Sequence, residues 1–143
     1  KYYKDYTVGE KMVSPALTVT ESHIVNYASY TGDFYPLHVD EEYAKNTIFK
    51  GRIAHGPLIF SLSVGLVGMS NYFKDSIIAF IGAEEMRFYN PVKIGDTIKV
   101  EVEVVEKEKT SKIDRGIVKF RYNVLNQNNI KVMSVNMVML VHK

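Results

Sequence analysis

The chain contains no cysteine. This absence excludes disulfide bonds, thiolate metal ligands and cysteine nucleophiles, and it leaves the redox compartment undetermined. There is also little excess of either charge, because 18 lysine and arginine residues stand against 16 aspartate and glutamate residues, giving a formal net charge of +2. A nearly neutral protein has no strong field to attract a polyanion, so nucleic acid is not expected as a partner.

Targeting and membrane-spanning patterns are absent as well. The first five residues, KYYKD, lack the apolar core of a signal peptide, so a cytoplasmic location is expected. The longest uncharged run, residues 56–73, is at the short limit of about 18 residues for a bilayer span and is interrupted by serine and glycine, so no membrane partner is expected. With 143 residues, 46% of them hydrophobic, the chain predicts one domain over residues 1–143 with a sizeable core.

The first third of the chain predicts short elements separated by turns. Residues 12–20 are rich in β-branched side chains and contain Pro15, which predicts an edge strand or a strand with a break. Apolar residues at helical spacing in residues 21–28 predict a short helix that leads into Gly32. Asp40 is placed to cap a further short helix, so we interpret it as a structural residue.

The longest helix is predicted over residues 56–73. Apolar side chains recur there every three to four residues, at positions 58, 59, 62, 66, 69 and 73. Small residues at positions 61, 65 and 68 predict that another element lies close to that side of the helix. We therefore expect this helix to be the most buried one.

Strands are predicted in the second half of the chain. In residues 98–104 and 118–124 apolar side chains alternate with polar ones, which is typical of a sheet with one wet face. Residues 130–141 are apolar in both registers, as expected of a strand covered on two faces or lying at a subunit contact. Turns are predicted at residues 114–116 and 127–129, and a solvated hairpin end at residues 106–109. A long helix followed by antiparallel strands predicts an α+β domain.

Two segments carry the residues suited to chemistry. Residues 31–38 contain both glycine and proline and are predicted to form a loop, in which Asp33 and His38 stand five residues apart. A carboxylate and an imidazole presented together can position a water molecule and move its protons. His55 and Gly56 open the long helix, whose first free N–H groups could polarise a substrate carbonyl.

Each candidate also has a simpler interpretation. Asp33 could be an ordinary turn residue, and His38 an ordinary buried or capping histidine. Asp33, His38, Asp40 and His55 together offer ligands suitable for zinc, but their spacing matches no tight ligand motif, so no metal is expected. Ser61 and Ser63 of the long helix lie in no Gly-x-Ser-x-Gly elbow, so covalent catalysis is not supported.

Three motifs occur in a defined order: Gly32-Asp33-x-x-Pro36-x-His38, then Ile53-Ala54-His55-Gly56, then FYNPVKIGDT at residues 88–97. Together they resemble the signature of the MaoC-like (R)-specific enoyl-CoA hydratases, over nearly the whole chain. The resemblance implies a hot-dog fold, in which an antiparallel sheet wraps around a long buried helix. It also implies a homodimer or larger homo-oligomer, because two subunits of that family usually pair their sheets.

The resemblance further implies a role for individual residues. Asp33 and His38 would bind the reacting water, and the backbone N–H of Gly56 would form the oxyanion hole. This sequence departs from the family at two positions, with Tyr35 where many hydratases have asparagine and Val64 where some members have a polar residue near the thioester. The candidate substrate-binding residues are Tyr35, His55 and Val64. For His55 a structural role, orienting the loop before the helix, is the favoured one.

The expected function is reversible hydration of a trans-2-enoyl-CoA thioester to an (R)-3-hydroxyacyl-CoA. CoA is part of that substrate, and the resemblance implies no separate cofactor. Two alternatives stay open: an acyl-CoA thioesterase on the same fold, in which water attacks the carbonyl carbon, and a non-catalytic acyl-thioester binding or assembly subunit. Thioesters of CoA and of a protein-bound pantetheine both fit the resemblance, as do the hydration and dehydration directions.

Overall fold

The computed structural model describes all of residues 1–143. After a short 3-10 helix at Tyr3–Asp5 it contains six strands and four α-helices. The strands are β1 (Lys11–Val13), β2 (Leu17–Thr18), β3 (Ile77–Phe88), β4 (Thr97–Lys109), β5 (Arg115–Leu125) and β6 (Lys131–His142). The helices are α1 (Glu21–Thr31), α2 (Pro36–Val39), α3 (Glu41–Ala44) and α4 (Gly56–Met69).

The six strands form one antiparallel sheet. Its order is β1-β4-β5-β6-β3, and β2 pairs with the start of β4. The chain leaves the sheet between β1 and β2, around Pro15, which confirms the predicted strand with a break. Proline has no N–H to donate to a ladder, so pairing resumes only after it.

The core lies between the sheet and α4. Val118, Phe120 and Tyr122 alternate along β5 with partly exposed polar residues, and all three are almost fully buried. They belong to the same apolar cluster as Leu66 and Val67 of α4. This arrangement confirms the predicted α+β architecture, with one face of the sheet wrapped around the helix and the other face polar.

Helix α4 differs from its prediction in length and in packing. It ends at Met69, because Asn71 and Lys74 take left-handed φ angles of 56° and 50° that a helix cannot continue through. The close contact predicted beside the small residues is wrong, since a Cβ added at Gly65 or Gly68 would meet no atom within 4 Å. The buried side instead consists of Leu58, Ile59, Ser63, Leu66 and Val67. No helix of the structure has both the length and the apolar character needed to cross a bilayer.

The strands confirm one prediction and include one element that was not predicted. Residues 106–109 form the solvated end of the β4–β5 hairpin, as predicted; β4 continues through them after a register shift, and Glu106 forms an ion pair of 3.1 Å with Lys119 of β5. The sequence pattern did not predict β3, which occupies the edge of the sheet and pairs only with β6. The doubly apolar strand β6 is therefore internal, and β3 presents the open edge.

Candidate active site

Asp33 is positioned by the end of α1. Gly32 caps this helix with a left-handed φ of 82°, a conformation that glycine adopts without steric cost, and its N–H donates to the Ala28 carbonyl at 2.8 Å. The next N–H along the chain, that of Asp33, donates to the hydroxyl of Thr31 at 3.2 Å. The Asp33 carboxylate accepts only a long bond of 3.3 Å from the N–H of Tyr35 and is exposed to solvent. Its remaining acceptor sites are therefore free to bind water.

His38 lies on a helical turn and not on the predicted loop. Pro36 starts α2, because its fixed φ suits the first helical position and its missing N–H costs nothing there. The turn directs the ring of His38 back toward the chain before α4, where Nδ1 lies 2.8 Å from the carbonyl oxygen of Ile53. A carbonyl only accepts, so Nδ1 carries the hydrogen and Nε2 of the neutral ring keeps a lone pair.

His55 is the residue before α4 and is 1% exposed. Its Nε2–H donates to the carbonyl oxygen of Asp33 at 3.0 Å, and its ring stacks on that of His38 with centroids 3.9 Å apart. Burial lowers the pKa of His55 below its ordinary value, helped by the neighbouring His38 and opposed by the bond to Asp33. The ring is therefore neutral, and it holds the backbone at Asp33 and the ring of His38 in place. Its Nδ1 is buried without a hydrogen-bond partner.

The three side chains converge on one point. One ligand atom each of Asp33, His38 and His55 lies within 4.8 Å of the others, so the predicted pairing of Asp33 with His38 is present in space. This set has the donor atoms for a metal ion as well as for water. Asp40, the fourth residue considered as a ligand, lies outside the set and accepts a 3.0 Å bond from the N–H of Tyr43, as predicted for a helix cap.

Gly56 presents a free backbone N–H at the start of α4. This amide donates no hydrogen bond within the chain, and the next residue, Pro57, has no N–H. A Cβ added at Gly56 would lie 3.0 Å from the ring of Phe88, so only glycine leaves the observed gap beside that ring. The amide can therefore stabilise an anionic oxygen that enters this gap.

An apolar cavity of about 370 Å³ extends between His38 and Gly56. His38 and Gly56 both line it, and most of the other lining residues are hydrophobic. Those not identified from the sequence include Phe49, Phe88 and Val132, which come from three separate parts of the chain. Phe88 and the residues directly after it belong to the FYNPVKIGDT motif, which was the one available sequence signal for this wall.

None of the three candidate substrate-binding residues, Tyr35, His55 and Val64, lines this cavity. Tyr35 is 57% exposed, with its ring centroid 6.4 Å from that of His38, at the open side of the cluster. Val64 is 37% exposed and lies on α4 eight residues after Gly56. Neither residue lines the cavity of the single chain.

The antiparallel sheet wrapped around one helix, with the site beside that helix's first turn, defines a hot-dog fold protein. A Mycobacterium tuberculosis protein described as a double hot-dog fold superposes on 99% of this chain and 44% of its own, with a TM-score of 0.86 and 19% identity. At that identity the likeness shows the fold alone. It confirms the fold that the sequence motifs implied.

Within that fold class, the chain belongs to the MaoC-like dehydratase family. Residues 4–126 match the family profile described as a MaoC like domain. An (R)-specific enoyl-CoA hydratase of Rhodospirillum rubrum is 36% identical over 103 residues, covering 72% of this chain and 69% of the relative. The protein MaoC of Klebsiella aerogenes is 38% identical over 120 residues, and the match covers 81% of this chain but only 33% of that longer relative.

A solved structure extends the similarity over the full length. An Archaeoglobus protein described as a monoamine oxidase regulatory protein is 41% identical, with a TM-score of 0.93. The match covers 100% of this chain and 95% of that one. These matches establish membership of the family, whereas the relatives carry different functional names.

Proposed function

We propose that the protein reversibly hydrates a trans-2-enoyl-CoA thioester to an (R)-3-hydroxyacyl-CoA. The observation that carries the proposal is one apolar cavity with the His38 ring and the unbonded Gly56 amide in its wall and the Asp33 carboxylate beside that ring. These are the groups that the reaction requires: a proton acceptor, a proton donor and an oxyanion site. The hydratase name of the Rhodospirillum relative supports the same reaction.

The proposed reaction begins with a water held between the Asp33 carboxylate and Nε2 of His38. Its oxygen bonds to C3 of the enoyl group, one O–H bond breaks, and the proton passes to one of the two residues. Electrons of the C2–C3 double bond move toward the thioester, and the negative charge that develops on its oxygen is stabilised by the Gly56 N–H. A proton from the pair then bonds to C2, so one water is added and both residues regain their original states.

The fixed geometry of His38 supports its part in this sequence. Its Nδ1–H bond to the Ile53 carbonyl leaves Nε2 to exchange protons with the water. His55 acts as a positioning residue, because its bond to the Asp33 carbonyl and its stack on His38 link the two reacting side chains. The proposal assigns the first proton transfer to Asp33 and His38 as a pair, because coupled groups share their protons.

The proposal is tested with crotonyl-CoA, following loss of the conjugated enoyl absorbance and release of free thiol in separate assays. Loss of absorbance without thiol release is expected. Thiol release would establish a thioesterase instead, and tight binding of crotonyl-CoA without either change would establish a binding subunit. Activity should persist after dialysis against EDTA, because the proposed steps use only protein groups; loss of activity and its recovery with a divalent metal would assign the Asp33, His38 and His55 cluster to an ion.

We also propose that the active form is a homodimer joined through β3. This strand has no partner on its outer side, and Phe80 and Ile81 are about half exposed, at 49% and 50%. An open apolar strand edge is prone to association, and pairing with a second β3 would satisfy its free N–H and C=O groups. Light scattering should give twice the mass of the chain, and Ile81→Lys should reduce it, whereas Ile113→Lys in the exposed β4–β5 turn should not. A stable wild-type monomer at micromolar concentration would contradict the dimer.

A further inference from the structure

Strand β3 contains a β-bulge close to the end that reaches the active site. Glu84 lies opposite Asn136 of β6. Arg87, three residues further along β3, lies opposite Ser134, which is only two residues away in β6. Residues 85 and 86 therefore stand together against a single residue of the neighbouring strand. Such an extra residue changes which face of the sheet the following side chains point to.

The bulge decides the face on which Phe88 lies. Paired residues of antiparallel strands place their side chains on the same face, and the faces alternate along each strand. Phe88 is opposite the fully buried Met133, so its ring faces α4 and lies against Gly56. Glu84 lies on the polar outer face. Strict alternation from Glu84 would send Phe88 to that outer face and Arg87 toward α4.

Glu85 takes a left-handed conformation in the bulge. Its φ is 53°, which is costly for any residue with a Cβ. Its Oε2 accepts a 3.2 Å hydrogen bond from the side-chain amide of Asn136, whose Oδ1 accepts one of 3.1 Å from Nε of Arg121. Asn136 is only 9% exposed, so its amide needs an acceptor within the protein, and Glu85 supplies it. Three side chains thus tie the bulge to β6 and β5.

We infer that Glu85 is a positioning residue of the active site, because its left-handed backbone sets the alternation of β3 that places Phe88 against Gly56. The Phe88 ring lines the apolar cavity and would lie 3.0 Å from a Cβ added at Gly56. Glu85 does not line that cavity and acts only through Phe88. Its effect on the reaction rests on the proposed function, whereas its effect on the position of the Phe88 ring does not.

The first test compares three substitutions of Glu85. Glu85→Gln keeps an acceptor oxygen for Asn136, and Glu85→Gly adopts the left-handed φ without steric cost. Both should keep kcat/KM for crotonyl-CoA within a few-fold of the wild-type value. Glu85→Val disfavours a positive φ most strongly, so its kcat/KM should fall by about 10-fold, as expected for a small misplacement of the Phe88 ring. A loss in Glu85→Gly as large as that in Glu85→Val would overturn the inference, because the backbone conformation would then not be what matters.

The matched control is Lys74→Val. Lys74 also has a left-handed φ, of 50°, but it precedes β3 and lies at the end remote from Phe88. Valine strains the backbone at both positions, so both variants should lose stability in urea unfolding, and only Glu85→Val should lose kcat/KM. Equal activity losses would assign the effect to general destabilisation and overturn the inference. A changed mass of Glu85→Val in light scattering would do so too, because the effect would then come from subunit contacts.

A spectroscopic measurement tests the position of the Phe88 ring without turnover. The place of an added Cβ at Gly56 is that of one of its α-hydrogens, so this hydrogen points at the ring and its NMR signal is shifted by the ring current. The chain has nine glycines, so isotope labelling of glycine alone gives a simple spectrum. The Gly56 signal is identified as the one that changes in Phe88→Leu.

Glu85→Val should move the Gly56 signal toward its position in Phe88→Leu, whereas Glu85→Gln and Glu85→Gly should leave it in place. An unchanged signal in Glu85→Val would overturn the inference even if activity fell. If the wild type does not hydrate crotonyl-CoA, the proposed function fails, and the Gly56 signal still supports or overturns the positioning role of Glu85.

Discussion

Gly56→Ala is the sharpest test of the oxyanion assignment, because the structure sets the size of the perturbation. The new Cβ would lie 3.0 Å from the nearest atom of the Phe88 ring, whereas ordinary contact begins at 3.4 Å. The ring must therefore retreat by about 0.4 Å into the cavity that it lines. Since a misplacement of about 1 Å can cost 10²-fold in rate, we expect kcat/KM for crotonyl-CoA to fall by roughly 10-fold.

Stability should respond differently from activity. Alanine is a better helix former than glycine by about 0.5–1 kcal/mol, and the half-exposed Phe88 ring can move, so the free energy of unfolding should change by less than about 1 kcal/mol. The control is Gly65→Ala on the same helix, where the added Cβ meets no atom within 4 Å. That variant should gain about 0.5–1 kcal/mol from helix propensity and keep wild-type kinetics.

The assay pairs crotonyl-CoA hydration with urea unfolding of the same preparations. A Gly56→Ala enzyme with wild-type kcat/KM would refute the placement of the thioester oxygen between the Gly56 amide and Phe88. A loss of activity that is matched by a large loss of stability would refute it too, because the effect would then come from misfolding. Equal activity losses in Gly65→Ala would show that the assay reports on α4 as a whole.

Further predictions concern the polar cluster. Asp33→Asn and His38→Gln should each lower kcat by about 10²-fold or more with folding intact. The double variant should be little worse than either single variant, since both residues act on one water. If Asp33→Asn hydrates crotonyl-CoA within a few-fold of the wild-type rate, the assignment of the site is refuted. Tyr35→Asn should change the ratio of kcat/KM between short and long enoyl-CoAs, because Tyr35 borders the cluster, and an unchanged ratio would exclude that role. The pKa of His55 is lowered on folding, so its neutral form contributes stability that is complete above the ordinary value of 6.5 and is lost as the pH falls through the lower folded pKa. The free energies of unfolding of wild type and His55→Gln, measured in urea between about pH 7.5 and about pH 5, should therefore converge at low pH, and parallel pH dependences would contradict this role of His55.

Local signals in the sequence determined several parts of this protein. The apolar spacing in residues 21–28 predicts a short helix that leads into Gly32, and Asp40 before acidic residues predicts the cap of α3; both are found. Period-two alternation predicts β4 and β5 because one face of each strand is buried against α4. Such features depend on a residue and its near neighbours, so they can be recognised before the fold is known.

The family was determined by the order of the three motifs, and the site was only partly determined. Spacing along the chain indicates that Asp33 and His38 act together, but the role of His55 depends on a bond to the Asp33 carbonyl 22 residues away. The helical turn at Pro36 was concealed because glycine and proline together predict a loop. A proline that starts a helix is distinguished from one in a loop by the hydrogen bonds of the next turn, here the bond from the Asp40 N–H to the Pro36 carbonyl.

Only the tertiary structure decided β3, the two cavities and the close approach of the Phe88 ring to Gly56. An edge strand with one open side has no regular burial pattern, so its sequence gives no period-two signal. The apolar cavity joins Phe49, Phe88 and Val132. A second pocket, on the outer face of the sheet, joins Arg87 of β3, Arg121 of β5 and Lys131 of β6. These residues are brought together by strand pairing between distant segments, and the position of a side chain across such a pairing is set by the register of the whole sheet.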